Sequence, residues 1–64
     1  MVRINGENEN ADGILLSDYL RENGFKKEQI AAEINLAIVP KSDYERTVLK
    51  DGDTVEILTF VSGG

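Results

Sequence analysis

The C-terminal run Val61-Ser62-Gly63-Gly64 is the part of this sequence best suited to chemistry. Gly64 ends the chain in a carboxylate with no Cβ to obstruct attack. Gly63 and Ser62 make a narrow spacer, and residues this small can thread a slot shaped for backbone. A carboxylate is a poor electrophile until a leaving group is attached to it. Such an end suits a chain whose own terminus is the reactant inside another protein's site. The residues alone leave that reading open beside a plainer one, an ordinary chain end that does nothing.

The other candidates are weaker. Asn8-x-Asn10-x-Asp12-Gly13 looks like the opening of a calcium loop, but such a loop starts on an acidic ligand and needs a bidentate Glu at its twelfth position. Here the twelfth residue is Tyr19, so the stretch reads as a polar connector. Asp51-Gly52-Asp53 has the composition of a tight turn, and the sequence offers no third polar partner for a carboxylate pair. Ser17, Ser42 and Ser62 lack a histidine base, because the chain has no His; it also has no Cys. Disulfides, thiolate and imidazole metal sites, iron–sulfur clusters and haem ligation are thereby excluded. Neither a GxGxxG nor a GxxxxGK phosphate loop is present. A chain of 64 residues is too short to enclose a typical substrate cleft. The expectation is therefore no catalytic side chain, no metal and no resident cofactor.

Twelve acidic residues against seven basic ones give a net charge of −5. The basic residues Arg3, Arg21, Lys26, Lys27, Lys41, Arg46 and Lys50 are scattered, with no aromatic interleaving. An acidic surface repels phosphate backbones and anionic lipid, so no nucleic acid and no membrane is expected, and a partner with a basic docking face is. The N-terminus turns polar at once. Ile14-Leu15-Leu16 and Leu36 to Pro40 are far too short to span a bilayer. A cytoplasmic location is the expectation.

The elements that must position the tail can be read in outline. Val2 and Ile4 alternate with polar neighbours ahead of Asn5-Gly6, a strong hairpin signal. The returning strand, Glu7 to Asn10, would place carboxylates opposite Ile4 and Val2. It is expected to be short, frayed at an edge, or shifted by a bulge. Leu15, Leu16, Tyr19 and Leu20 have the spacing of an amphipathic helix ended by Asn23-Gly24, with Asp12 the nearest cap candidate. Phe25 to Gln29 reads as a charged connector. Ile30, Ala32 and Ile34 alternate as a half-buried strand, and Asn35-Leu36-Ala37 turns into a short strand at Ile38-Val39, which Pro40 ends. Ser42 to Thr47 is a turn or one helical turn, and the last strand runs from Thr54 to about Val61. Val55 and Ile57 share one face of that strand, Leu58 and Phe60 the other. The order is β-β-α-β-β-β, an α+β roll of one main helix on a small mixed sheet, with first and last strands adjacent. Val2, Ile4, Leu16, Leu20, Ile30, Ile34, Val55 and Ile57 form the expected core. Leu58 and Phe60 form a candidate docking patch beside the tail.

Ile4-Asn5-Gly6-Glu7, Leu20 to Phe25, Ile30-Ala31-Ala32-Glu33-Ile34-Asn35 with Ile38-Val39-Pro40-Lys41, and Leu49-Lys50-Asp51-Gly52-Asp53-Thr54-Val55-Glu56-Ile57, closed by Gly63-Gly64, carry a resemblance over nearly the whole chain. It resembles the ThiS family, the sulfur carrier proteins of thiamine biosynthesis, which are small ubiquitin-like β-grasp proteins. The resemblance implies one β-grasp domain over residues 1–64, with residues 62–64 a flexible tail, monomeric when free. It implies that an activating enzyme adenylates Gly64 using ATP and magnesium. A sulfur donor system then converts the adenylate to a thiocarboxylate, which thiazole synthase consumes. Gly63 and Ser62 would be the tail spacer. Leu36 stands where a turn Gly is usual, Tyr44 where Trp is common, and Leu15 where a helix-starting Thr is usual; the second strand lacks its usual apolar residue. The small subunit of molybdopterin synthase, a carrier of another sulfur pathway, and a ubiquitin-like interaction module with an inert tail are the competing readings.

Overall fold

Two hairpins, each with a two-residue turn, frame the sheet. The computed structural model describes residues 1–60. Strand β1 (Val2–Ile4) turns through Asn5 and Gly6 into β2 (Glu7–Glu9), and β3 (Ile30–Ile34) turns through Asn35 and Leu36 into β4 (Ala37–Val39). In both turns each central residue has positive φ, the geometry that matches the twist of a hairpin. Strand β5 (Thr54–Thr59) lies between the hairpins, parallel to β1 and antiparallel to β3. The sheet order is β2-β1-β5-β3-β4. First and last strands are neighbours, as expected. The last strand ends at Thr59, and Thr59, though in register with the inner face, is exposed.

The acidic second strand keeps the simple register: Ile4 faces Glu7 and Val2 faces Glu9. No bulge is needed, because the strand ends after three residues and its inward carboxylate finds a partner. The Tyr19 hydroxyl lies 3.1 Å from each Glu9 oxygen and donates to that carboxylate. Burial, together with this hydrogen bond and the negative charge behind it, pushes the Tyr19 phenol up to about 12.

The helix α1 (Leu16–Glu22) starts later than its apolar pattern does. Leu15 precedes it in extended conformation and bridges to Val48. Asp12 does not cap the helix; its carboxylate lies 3.4 Å from the Met1 ammonium. Two of the orphan N–H groups that any helix start leaves are instead satisfied by main chain. Leu16 N–H donates to the Thr47 carbonyl at 2.8 Å and Ser17 N–H to the Tyr44 carbonyl at 3.0 Å. At the other end, Gly24 N–H donates to Arg21 O and Phe25 N–H to Leu20 O, with Gly24 at φ +78. That is the paired left-handed cap the Asn23-Gly24 dipeptide suggests.

The helix covers the inner face of the sheet. Val2, Ile4, Leu16, Leu20, Ile30, Val55 and Ile57 are buried as expected, whereas Ile34 is only half-buried. Ala11, Tyr19, Ala32, Tyr44 and Leu49 join the core. Tyr44 and Leu49 come from the polar stretch after β4, where a 3-10 turn at Lys41–Asp43 swings the chain back under the helix. Among the described residues, no helix is long and apolar enough to cross a membrane.

Candidate functional site: the outer sheet face and the root of the tail

Strand β5 is pinned at its first residue and at mid-strand by two asparagine side chains, one from each hairpin turn. Asn5 Oδ1 accepts the Ile57 N–H at 2.8 Å, and Asn35 Oδ1 accepts the Thr54 N–H at 3.0 Å. The Asp51-Gly52-Asp53 turn feeds the strand. Asp53 Oδ2 accepts the Lys50 N–H at 3.0 Å, and Asp53 Oδ1 accepts from Asn35 Nδ2 at 3.1 Å. The Asp51 carboxylate receives the Met1 ammonium. That hydrogen bond lowers the Asp51 carboxyl below its usual range and raises the ammonium above its own, although desolvation of the ammonium opposes the rise. Asp53 is thus engaged in closing the turn, as its composition suggests, whereas Asp51 ties the turn to the N-terminus.

Beyond β5 the ladder continues by one residue, with Phe60 N–H donating to Gln29 O at 2.9 Å. The described chain therefore ends beside the 3-10 turn at Lys27–Gln29, four residues short of Gly64. The sequence-derived site residues Ser62, Gly63 and Gly64, and the expected flexibility of that tail, lie outside the described residues.

The two docking candidates sit where the alternation places them. Leu58 is 48% exposed and Phe60 55% exposed. Register extends the patch. Residues directly opposite each other in a ladder share a face. Leu58 faces Ala31, and Glu33 faces both Glu56 and Ile38. The outer face therefore brings Leu58, Ala31 and Ile38 together with two carboxylates. Ile38 is 71% exposed, and Leu36, in the adjoining turn, is 89% exposed. Sequence reading assigned Ile38 to a strand but not to a face; its position opposite Glu33, itself out of phase with Ala32, carried the missing information. Like charges directly opposite each other repel, so the Glu33–Glu56 juxtaposition favours a partner that brings positive charge. This surface can offer apolar contacts flanked by hydrogen-bond acceptors, which suits recognition rather than catalysis.

The model of the ThiS family matches residues 2–64. Among similar proteins, a thiazole synthase of Paramagnetospirillum magneticum is 42% identical over 62 residues, covering 95% of this chain and 19% of that protein. A thiazole synthase of Magnetococcus marinus is 38% identical over 64 residues, covering 98% of this chain and 20% of that protein. The chain thus spans about a fifth of the length of these relatives. An uncharacterized Porphyra purpurea protein, ycf40, is 39% identical, with 98% of this chain and 90% of that protein covered. In three dimensions, the crystal structure of a thiamine biosynthesis protein (ThiS) from Geobacter metallireducens superposes with a TM-score of 0.77 at 27% identity, covering 98% of this chain and 97% of that one. The five-stranded mixed sheet with its single helix is therefore the β-grasp fold of those structures.

Proposed function

The chain belongs to the ThiS family, and on that premise we propose that it is a sulfur carrier of thiamine biosynthesis, a protein cosubstrate rather than an enzyme. The observation that carries this reading is the reach of the family match, which runs to Gly64 and so includes the Gly63-Gly64 end. The Gly64 carboxylate attacks the α-phosphorus of ATP in the site of an activating enzyme, which supplies the magnesium. Pyrophosphate leaves and an acyl adenylate forms. Hydrosulfide supplied by the donor system then attacks the acyl carbon. A C–S bond forms, the acyl C–O bond to AMP breaks with its electron pair leaving on AMP, and a thiocarboxylate remains on Gly64. This chain contributes reach and recognition. Gly63 and Ser62 let the terminus pass through a backbone-wide slot, while Leu58, Phe60 and Ile38 give the partner an apolar hold beside it. The thiazole synthase relatives, which share a polypeptide with a region similar to this chain, support thiazole synthase as the consumer of the sulfur.

The test is intact-mass measurement after incubation with the activating enzyme, ATP and a sulfur donor. The unaltered chain gains the mass difference between sulfur and oxygen. Deleting Gly64 shortens the reach by about 3.5 Å, and displacements near 1 Å can already cost on the order of 100-fold in rate. Adding one residue after Gly64 converts the reacting carboxylate to an amide. Both variants are expected to fold and to accept neither AMP nor sulfur. Equal mass gain at an equal rate in the Gly64 deletion would sink the terminal-carboxylate mechanism and leave the inert-tail module in its place.

A further inference from the structure

On the helix side of the molecule, away from the outer sheet face, α1 and the loop after the Lys41–Asp43 turn border an open cleft of 410 Å³. Chain length alone argues against an enclosed cleft of this size; the gap between helix and loop provides an open one instead. Leu20, Phe25 and Tyr44 contribute apolar wall, and Arg21, Lys26 and Lys27 surround it, with Glu45 the one acidic residue in the lining. Three positive groups against one negative make this lining basic on a chain whose net charge is −5. Arg21 is already held by Asp18 at 2.8 Å. Lys26 and Lys27 have no ion-pair partner among the described residues. Tyr44 lines the cleft, but its hydroxyl is buried, with no hydrogen-bond partner among the described residues, and it makes no part of the recognition proposed below.

We propose that this cleft binds a small organic anion, a flat apolar body carrying a single phosphate or carboxylate. The volume lies within the range of small-molecule sites, and such sites pair an apolar lining with a few polar groups that fix orientation. The apolar body covers the Phe25 side of the cleft, and the anion takes up the unpartnered charge of Lys26 and Lys27. None of the residues lining the cleft belongs to the proposed docking face, and the proposal does not rest on the sulfur-carrier reading.

The experiment is a titration of the full chain with phenyl phosphate, followed by backbone amide chemical shifts. Benzoate, phenol and inorganic phosphate are run as separate arms. Saturable shifts at Arg21, Gly24, Lys26, Lys27 and Glu45 are expected, with phenyl phosphate about tenfold tighter than phenol or inorganic phosphate. Comparison with benzoate tells a phosphate site from a general anion site. In the Lys26→Glu, Lys27→Glu double variant the affinity should fall by a similar factor, while the amide spectrum elsewhere stays that of the folded chain. Non-saturating shifts, shifts centred on Leu58 and Phe60, or unchanged affinity in the folded double variant would overturn the proposal.

Discussion

The two sides of β5 divide the packed core from the proposed docking face within a single strand. On the inner side Val55 and Ile57 are buried beneath the helix; on the outer side Glu56 and Leu58 are open to solvent, opposite Glu33 and Ala31. Because successive strand residues point to opposite faces, one-residue alternation is all that separates the two roles. It follows that either role can be altered without the other. It also follows that a slip of one residue would bury Glu56 and expose Ile57. The Asn5 and Asn35 side chains, bonded to the Ile57 and Thr54 amides, hold the strand against such a slip.

Replacing an inner residue should have the largest effect. Ile57→Ala, or Leu20→Ala from the helix side, is expected to cost roughly 2–5 kcal/mol, a large part of what a domain of this size has. Chemical denaturation reads it, and unchanged midpoints in both variants would break the division between faces. The next test addresses Glu9, a carboxylate in register with the inner side. The Tyr19 phenol that donates to it titrates at about 12, above its ordinary value of 10.0. Between these pH values the unfolded chain loses the proton while the folded chain keeps it, so stability should fall as pH rises through that window. It is fully present below pH 10, and Tyr19→Phe should remove that dependence in pH-dependent denaturation.

Smaller effects are expected at the exposed positions. Leu36 adopts φ +72, which costs an L residue about 1–2 kcal/mol, while glycine's extra unfolded-state freedom offsets about 0.4–1 kcal/mol. Leu36→Gly should therefore gain about 0.5–1 kcal/mol in urea unfolding. A loss would mean that Leu36 makes contacts its exposure does not reveal. Phe60→Ala should change stability least, within about 0.5 kcal/mol, yet weaken capture by the activating enzyme. Equal adenylation kinetics would remove the outer patch from the mechanism.

The two hairpin turns show why part of the fold was legible and part was not. Asn5-Gly6 announces positive φ in its composition; Asn35-Leu36 adopts the same geometry with a residue that disfavours it, so only the flanking alternation located the turn. The order of elements along the chain and most of the core followed from period-two alternation in the strands and helical spacing at Leu16 and Leu20. The adjacency of β1 and β5 followed from their β-branched content; the full sheet order did not follow. Tyr44 and Leu49 escaped the expected core because they sit among charged neighbours with no period of their own, and long-range packing places them. Ile34 fell on the right face, but near the end of the sheet, where cover is partial. At the site, alternation put Leu58 and Phe60 on the outer face, but adding Ile38 required the register between β3 and β4. That register is a tertiary fact.

The main-chain closure of the helix start has a kinetic consequence. Seven residues with no side-chain cap are too few to hold a helix in water. The carbonyls that complete this one arrive from residues 44 and 47, some thirty positions along the chain. The helix should thus be a product of late assembly rather than an early nucleus, gaining persistence only as the 41–49 segment docks. In hydrogen–deuterium exchange, the amides of Leu16 and Ser17 would then open only with the molecule as a whole, and a weakening of the Tyr44 anchor would free them first.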